Sequence, residues 1–349
     1  MNFEILRYIE IGKSEEVQLF YYFVKSESDP RKDPFLLGQS GGPGCSSFTG
    51  LAYEVGPLDF GQKAYNGSLP ILVSSPYSWT KFASILFLEQ PANTGFSYAT
   101  TSEKCKCTDL QACDQVYEFL RKWLINHPKF ILNPFYVSGD SYSGITVPLI
   151  VQLISDGIKA GKEPLINLKG YSLGNPVTFP KQDNYQISFC HGMGLISDEL
   201  YESLNEFCKG DYININPTNK SNVAIRKLST YWANDPRVQE ALHVRKGTIR
   251  RPWARCRNSI LSTSYTITVM NSIPYHVNLS SKGYQSLMYS YTRSFSNHMT
   301  YAIVKGGGHK APQDKYKESF HMFKRWIAQQ PLQSFYSLLP FLWDSKYES

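Results

Sequence analysis

The chain has 349 residues, of which 42% are hydrophobic and 14% aromatic, so it can fill the core of one large α/β domain or of two average ones. Its 36 basic and 29 acidic residues give a formal net charge of +7 and are spread along the chain without blocks of one sign. This distribution argues against the concentrated basic face of a nucleic-acid-binding protein. No window of the sequence is apolar over the length of a membrane-spanning helix.

The seven cysteines lack the paired spacing with histidines that metal sites need, so we expect no metal and no other cofactor. An odd number leaves at least one cysteine unpaired. Glycosylation sequons begin at Asn66, Asn219 and Asn278, and with the dispersed cysteines they favour an oxidising, secretory compartment. The amino terminus does not resemble a signal peptide, because no basic region precedes a sustained apolar core.

Hydrophobic periodicity in the first part of the chain predicts strands followed by a helix. Residues 7–25 alternate as two antiparallel strands joined by a polar turn at 12–16, and short apolar strands follow at 35–37 and 84–88. An amphipathic helix is predicted over 114–127. Strands and helices that alternate in this way are typical of a mostly parallel sheet flanked by helices.

The stretch 135–144, with the sequence FYVSGDSYSG, predicts a strand that turns sharply into a helix beginning near Ser143. Small residues stand two positions before and two after Ser141, as a cramped turn that raises a serine hydroxyl above its sheet requires. The usual motif has glycine at the second small position, where this chain has Ser143 followed by Gly144. A glycine-rich turn without chemistry is the alternative interpretation.

The later elements are predicted to be strands at 167–173, 284–289 and 299–304, and helices that begin at Ser197 or span 235–243 and 319–329. The polar stretch 210–227 has no periodicity and predicts a surface loop or the place of a missing segment. We find no internal repeat and no linker of the kind that separates domains. The sequence therefore predicts a single domain over residues 1–349.

A glycine-rich stretch directly follows the strand at 35–37. Four glycines and one proline lie within residues 38–44, which excludes regular structure. A backbone this free of side chains can bring N–H groups close to a ligand oxygen, as an oxyanion hole requires. Gly-Pro runs are also common as simple turns, so this second interpretation stays open.

Three pieces of the chain together indicate nucleophilic catalysis. A serine hydroxyl needs a base within hydrogen-bonding reach and donors for the oxygen that becomes negative. Ser141 is the predicted nucleophile, and His309, in a glycine-rich loop after a late strand, is the predicted base. The backbone N–H groups of Gly42 and Tyr142 are the predicted oxyanion donors. A histidine in a glycine turn is more often structural, but here it follows the serine in the order that α/β-hydrolases use.

Five motifs carry a specific resemblance, and they are GGPGCSS at 41–47, FLEQPANTGFSY at 87–98, GDSYSG at 139–144, GNP at 174–176 and GGGH at 306–309. They resemble the serine carboxypeptidase-like family from about residue 12 to residue 331. The stretches 192–198 and 253–256 are similar to its plant branch, which contains carboxypeptidases and acyltransferases that use glucose-ester donors. The resemblance implies an α/β-hydrolase fold and a secreted or vacuolar location.

The resemblance also implies roles for particular residues. It makes Ser141 and His309 the nucleophile and base, and it implies a disulfide between Cys45 and Cys256. It further implies a cap-like insertion around 180–245. The tail at 332–349 has no counterpart in the family and is atypical.

In the peptidases of the family, a glutamate directly before the nucleophile pairs with another acid near the glycine loop to hold the terminal carboxylate of the substrate. The matching positions here are Asp140 and Glu54, beside Gly41. Two carboxyl groups forced together share a proton, so such a pair can donate a hydrogen bond to a third carboxylate in acid conditions. The alternative interpretation is that Glu54 and Asp140 are ordinary loop acids.

Near the predicted catalytic residues, the chain departs from the family in three places. Ser40 replaces the asparagine that normally precedes the glycine pair, and Asp140 in place of glutamate resembles the acyltransferases more than the peptidases. The family places its triad acid in a turn just after the strand at 284–290, whereas no Asp or Glu lies here between Ser290 and His309. Asp314 follows the histidine and is therefore in the wrong order.

The sequence therefore predicts a serine carboxypeptidase-like hydrolase that acts on a peptide C-terminus and is impaired by the loss of its triad acid. The first alternative is an acyltransferase that takes an acyl glucose ester as donor. The second is a non-catalytic relative. We expect neither a nucleic acid nor a membrane as partner, and the sequence leaves the oligomeric state open.

Overall fold

The structure is a computed structural model, and it describes residues 3–61, 65–179, 188, 191–192, 197–208, 223–248, 251–257, 259–289, 299–302, 304 and 309–332. Its strands are β1 (Phe3–Ile11), β2 (Val17–Val24), β3 (Phe35–Gln39), β4 (Leu58–Phe60), β5 (Leu72–Ser74), β6 (Ser84–Leu88), β7 (Tyr98–Ala99), β8 (Cys107–Thr108), β9 (Phe135–Asp140), β10 (Leu168–Gly174), β11 (Tyr265–Thr266), β12 (Gln285–Tyr289) and β13 (Met299–Ala302).

The α-helices in the described part of the chain are α1 (Asp109–Asn126), α2 (Ser143–Lys159), α3 (Asp198–Cys208), α4 (Val223–Asn234), α5 (Pro236–Ala241), α6 (Ile260–Thr263), α7 (Ile273–Ser281), α8 (Ala311–Asp314) and α9 (Tyr316–Ile327). A π-helical turn spans Gly50–Glu54, and 3-10 turns span Trp79–Lys81 and Pro128–Phe130. No helix in these described ranges is long and apolar enough to cross a membrane.

One large sheet has the strand order β1-β2-β6-β3-β9-β10-β12-β13, with the short β7 paired to β2. The pairs β1–β2 and β2–β6 are antiparallel, and every pair from β6 to β13 is parallel. The prediction of a mostly parallel sheet flanked by helices is therefore confirmed.

Strand β2 shows how the sheet holds a core on each face. All eight of its residues are buried, and successive side chains point to opposite faces. Leu19, Tyr21 and Phe23 belong to the apolar core that contains residues of α1 and α2. Phe20 and Tyr22 belong to the second core, which contains residues of α4 and α9. Continuous burial of this kind is expected of a strand covered on both sides by helices.

Most predicted elements are confirmed, and the differences have local causes. Helix α1 begins at Asp109, earlier than the predicted 114, because Thr108 and Gln111 form a capping box at its start. The prediction that the whole of 210–227 is a loop is wrong at its end, since α4 begins at Val223. Residues 209–222 lie outside the described part of the chain.

The carboxyl ends of four parallel strands meet at one edge of the sheet. The last residue of β3, Gln39, is in register with Gly139, and Gly174 at the end of β10 is in register with both Asp140 and Tyr289. In open α/β sheets, ligands bind outside this edge. The glycine-rich loop follows β3 directly and Ser141 follows β9 directly, whereas His309 comes after β13.

A long insertion separates two neighbouring strands of the sheet. The chain leaves the sheet at Gly174 and returns at Gln285, although β10 and β12 are paired. The predicted cap-like region around 180–245 lies within this connection and includes α3, α4 and α5. Trp232 of α4 stacks on Phe48, with ring centroids 4.8 Å apart, so α4 is anchored beside the glycine loop. The division into one domain with a cap stays a prediction.

Helix α9 closes the second core by stacking one ring on another. Phe323 lies on Trp79 with ring centroids 3.6 Å apart and an interplanar angle of 4°, and both side chains are fully buried. Trp79 belongs to the 3-10 turn that leads into β6. This stack fixes the chain that follows His309 against the sheet.

We expect Phe323→Ala to lower the free energy of unfolding by about 3–5 kcal/mol, because it removes buried surface and leaves a cavity on Trp79. Urea unfolding followed by tryptophan fluorescence measures this loss. Lys324→Ala, at an exposed position of the same helix, is the matched control and should change stability by less than about 0.5 kcal/mol. Equal effects of the two substitutions would contradict the packing of α9.

Candidate active site

Ser141 stands at the turn between β9 and α2 in a left-handed backbone conformation. Its φ is +56°, which L-residues other than Asn, Asp and glycine seldom adopt. Three backbone hydrogen bonds hold it there: its N–H donates to Gly174 at 2.9 Å, and its carbonyl accepts from Val177 at 2.8 Å and Gly144 at 3.0 Å. This is the strained strand-to-helix turn that the sequence predicts around its serine.

The turn is possible because its neighbours leave space. A Cβ added at Gly139 would lie 2.4 Å from the Ser143 Cβ, and one added at Gly144 would lie 2.4 Å from the Val177 carbonyl oxygen. Ser143 therefore fits at the second small position because Gly139 faces it without a side chain. The Ser143 hydroxyl is buried and has no hydrogen-bond partner among the described residues.

Helix α2 contains Pro148, which leaves the Gly144 carbonyl without its usual helical donor. The Ser272 hydroxyl donates to that carbonyl at 2.8 Å. The insertion between β10 and β12 thus satisfies the backbone of the first turn of α2, which begins two residues after Ser141. This bond ties the insertion to the helix that the predicted nucleophile precedes.

The glycine-rich loop lies directly on this turn. A Cβ added at Gly41 would lie 2.7 Å from both the Asp140 carbonyl oxygen and the Tyr142 nitrogen, and 2.8 Å from the Ser141 Cβ. Gly42 is exposed and has a φ of +118°, which favours glycine. Position 41 therefore requires glycine, because any side chain there would clash with the turn that carries the predicted nucleophile.

A disulfide between Cys45 and Cys256 anchors the far end of the loop, as the resemblance implies. Backbone hydrogen bonds strengthen this anchor, because the Ser46 N–H donates to the Arg255 carbonyl at 2.7 Å and the Arg257 N–H donates to the Gly44 carbonyl at 2.9 Å. Cys105, Cys107 and Cys113 are free and buried.

The predicted oxyanion donors lie on the two segments that touch here. Tyr142 caps the amino terminus of α2, where unpaired N–H groups and the helix dipole favour negative charge. Its hydroxyl donates to Asp109 Oδ1 at 2.7 Å, and Tyr265 donates to the same oxygen at 2.8 Å. Burial, with Asp109 adding to it, raises the pKa of the Tyr142 hydroxyl, which therefore stays protonated as a donor.

Asp109 is fully buried and also accepts from the backbone N–H groups of Thr268 and Val269, at 2.5 and 2.8 Å. One carboxylate thus joins α1, the turn of Tyr142 and the insertion.

His309 is exposed and lies at the same edge of the sheet as Ser141. Its backbone carbonyl accepts from Asn175 Nδ2 at 2.8 Å, and the Asn175 N–H donates to the Tyr289 carbonyl at 3.1 Å. Asn175 directly follows Gly174, the hydrogen-bond partner of the Ser141 N–H. Among the described residues, no hydrogen bond joins the Ser141 hydroxyl to the imidazole. The structure therefore brings the two segments together, and the pairing of their side chains stays a prediction.

Glu54 and Asp140 also meet at this edge, with a third residue between them that the sequence prediction did not include. Lys310 Nζ contacts Glu54 Oε1 and lies 3.4 Å from Asp140 Oδ2. Asp140 Oδ1 accepts from the Gly41 N–H at 3.3 Å. Burial raises the pKa of Glu54 and Lys310 offsets part of that rise. Burial alone would lower the pKa of Lys310, but the two carboxylates raise it above its ordinary value.

Lys310 directly follows the predicted base, His309, in the sequence. This position could have indicated a cation close to the other residues of the predicted active site. The π-helical turn that carries Glu54 was also missed. Such turns are rare, and they occur often at functional sites.

Glu89 is fully buried beneath the glycine loop. The Ser46 hydroxyl donates to its Oε1 at 2.6 Å and the Ser47 N–H to its Oε2 at 3.2 Å. A Cβ added at Gly95 would lie 2.2 Å from its carboxyl carbon, so glycine is needed there. Burial raises the pKa of Glu89 to about 7, although the two donors oppose the rise.

Two of the three predicted glycosylation sites lie in the described part of the chain. Asn66 and Asn278 are exposed, and Asn219 lies outside the described residues. No cluster of histidine, cysteine or acidic side chains in the described ranges could hold a metal ion.

We expect the contribution of Glu89 to the free energy of unfolding to fall as the pH rises from about 4.5 to about 7, because folded Glu89 keeps a proton that the unfolded chain releases. The contribution of this one group is at most about 3–4 kcal/mol. Glu89→Gln should remove that part of the pH dependence, as urea unfolding between pH values of about 5 and 8 can measure. The exposed Glu240→Gln is the control and should keep the parent slope. An unchanged slope in Glu89→Gln would refute this assignment.

Comparison with known proteins agrees with the fold and the motifs. The serine carboxypeptidase family model matches residues 4–227, 222–291 and 290–329. Serine carboxypeptidase-like 11 of Arabidopsis thaliana is 45% identical over 395 residues, which cover 93% of this chain and 90% of that protein. Serine carboxypeptidase-like 7 of the same organism is 44% identical over 396 residues, with the same coverage.

Among solved structures, Kex1(delta)p, a prohormone-processing carboxypeptidase from Saccharomyces cerevisiae, matches with a TM-score of 0.73 and 17% identity over 93% of this chain and 91% of that chain. The fold similarity and the two sequence matches each cover 93% of the chain. The chain therefore belongs to the serine carboxypeptidase family, as a serine-type carboxypeptidase-like hydrolase with the α/β-hydrolase fold.

Proposed function

We propose that the protein cleaves a terminal peptide or ester bond through an acyl-enzyme formed on Ser141. The observation that carries this proposal is the strained conformation of Ser141 at the turn into α2, with the glycine loop lying on it. A serine in a core or on an ordinary surface would need neither the left-handed φ nor a neighbour without a side chain. The family supports a peptide substrate.

In this mechanism His309 takes the Ser141 proton as the hydroxyl oxygen attacks the carbonyl carbon of the substrate. The N–H groups of Gly42 and Tyr142 stabilise the oxyanion, and the start of α2 adds its dipole. The imidazolium then gives its proton to the leaving group, and the acyl-enzyme remains. Water attacks this ester by the same steps in reverse order and releases the carboxylic acid and free Ser141.

We further propose that this reaction is slow, because the orienting acid of the triad is missing. The sequence has no Asp or Glu between Tyr289 and His309, and nine residues separate β12 from β13. Two paired parallel strands normally need a crossover of a dozen residues or more. Without the acid, the imidazole loses the partner that fixes its tautomer, which costs about 10⁴-fold in a related triad.

The comparisons support a loss of chain at this point. The family match breaks at residues 290–291, and again at 222–227. The alignments to the Arabidopsis relatives run over 395 and 396 residues, longer than the 349 residues of this chain, so the relatives carry residues that have no counterpart here. The first break falls between the carboxyl end of β12 and the predicted base.

Labelling with a fluorophosphonate probe tests the proposed nucleophile. We expect Ser141→Ala to abolish labelling. His309→Gln should slow labelling by only about 100-fold, because a histidine without its acid retains a small part of the full effect. Ser143→Ala is the matched control two residues away, and it should keep the parent rate since the hydroxyl that it removes has no partner. A parent that is not labelled at Ser141 would favour the non-catalytic interpretation.

A second candidate function is acyl transfer from a glucose ester to an alcohol. Asp140 before the nucleophile favours it, because this residue resembles the acyltransferases of the family. Both functions use the same acyl-enzyme and differ in what attacks it. In transfer, the alcohol oxygen takes the place of water and gives its proton to His309.

The two candidates are separated by offering the purified protein a blocked dipeptide and an aromatic acyl glucose ester, each with and without an acceptor alcohol. Hydrolase function predicts that product acid appears from the dipeptide at a rate independent of the alcohol. Transferase function predicts a new ester from the glucose ester that increases with alcohol concentration. Mass spectrometry of the products distinguishes them, and acyl-Ser141 from neither donor would argue against both.

A further inference from the structure

Lys310 occupies the space between two carboxyl groups next to the predicted nucleophile. Its Nζ contacts Glu54 and lies 3.4 Å from Asp140, the residue before Ser141. The side chains of Glu54, Asp140 and Lys310 are only 8, 12 and 20% exposed. The three groups thus form one cluster that is largely shielded from solvent.

The charged and titratable groups around this cluster come from several elements, and they include Tyr316 of α9, which interacts with Glu54 and Asp59. Glu54 comes from the π-helical turn, Asp140 from the end of β9, and Tyr289 from the end of β12. The positive charge of Arg255, beside the disulfide, lowers the pKa of both Glu54 and Lys310 by a small part of their shifts. Burial keeps the pKa of Tyr289 well above its usual range, so this hydroxyl stays neutral. Lys310 is a cation that contacts both acids.

The space beside the two acids is small. A cavity of about 30 Å³ lies there, lined in part by Gln39, Asp140 and Tyr289. A water molecule needs about 10–15 Å³ of such space, so this cavity has room for one or two waters. Lys310 already contacts both acids, so a ligand that engages them must compete with its ammonium group.

Two adjacent carboxyl groups can be stabilised in one of two ways. They can share a proton, which leaves an O–H that is free to donate to a substrate carboxylate, or they can hold a cation. Lys310 supplies the cation from within the chain, and both acids can then stay ionised. Ionised acids accept hydrogen bonds and donate none, so the ability to bind a carboxylate through a shared proton is lost.

We propose that Lys310 is a specificity-determining residue that closes the Glu54–Asp140 pair to substrates with a free terminal carboxylate. With both acids ionised, the cluster carries a net negative charge beside Ser141 and disfavours an anionic leaving group. The substrate class that fits is an acyl donor with an uncharged leaving group, such as a sugar ester or a peptide amide. This inference rests on the proposed function, since it takes Ser141 as the reacting centre.

Equilibrium binding tests the inference without requiring turnover. The ligands are benzoyl-phenylalanyl-phenylalanine, which has a free terminal carboxylate, and the amide of the same dipeptide. Binding is measured by calorimetry on Ser141→Ala, which cannot acylate, and on the same protein with Lys310→Met. Lys317→Met, at an exposed position in α9, is the matched control, and Lys310→Arg keeps the charge.

We expect Ser141→Ala to bind the amide at least as tightly as the acid. In the Lys310→Met protein no ammonium group lies between Glu54 and Asp140, so these two carboxyl groups share a proton. The acid should then gain at least about tenfold over the amide near pH 6, and this gain should disappear near pH 8, where both carboxyl groups ionise. The Lys317→Met and Lys310→Arg proteins should keep the parent ratio.

Three results would overturn the inference. They are tighter binding of the acid than of the amide by the parent, an unchanged ratio in Lys310→Met, and binding of neither dipeptide by any variant. Should Lys310→Met fail to fold, Lys310→Gln replaces it in the same comparison. The proposed function fails separately, through the absence of fluorophosphonate labelling at Ser141, so the two failures are distinguishable.

Discussion

The main chain of Gly41 packs against the turn at Asp140, Ser141 and Tyr142 with no side chain between them. A Cβ added at Gly41 would lie 2.7 Å from the Asp140 carbonyl oxygen and 2.7 Å from the Tyr142 nitrogen, which is closer than van der Waals contact allows. This approach joins the end of β3 to the end of β9 beyond the last pair of the sheet. It also places the exposed Gly42 beside the predicted nucleophile. A donor array built from backbone needs no reorganisation when charge develops, which is why such arrays are effective in catalysis.

Charge at this edge is arranged in two layers. Glu89 lies beneath the glycine loop and holds Ser46 and Ser47, and burial keeps it largely protonated below neutral pH. Above it, Lys310 stands between Glu54 and Asp140. A buried carboxyl group without a partner would be costly, so each acid is paired with donors or with a cation. Lys310 stabilises the two buried carboxylates of Glu54 and Asp140. In our proposal it also determines which substrates can bind beside them, so one residue affects both stability and specificity.

The sequence predicted what depends on local pattern. Alternation identified β1 and β2, short apolar runs identified β3 and β6, and the small residues around Ser141 identified the turn after β9. The predictions missed features that depend on packing between residues far apart in the sequence. Helix α7 gave no clear periodic signal, and the π-helical turn depends on how it packs under the loop. The family resemblance paired Glu54 with Asp140, but the sequence did not show that the side chain of Lys310 reaches both of them.

Contacts in the described part of the chain hold the backbone of each predicted catalytic residue in place. The backbone of Ser141 is held by Gly174 and Val177, and the glycine loop by its disulfide and by Glu89. The backbone of His309 is held by Asn175, at the end of β10. In a related triad, the oxyanion hole and binding alone retain about 10³–10⁴-fold catalysis over water. The same framework would also suit a protein that binds an acyl group and transfers it slowly, which is why the leaving group and the acceptor, rather than the fold, decide its function.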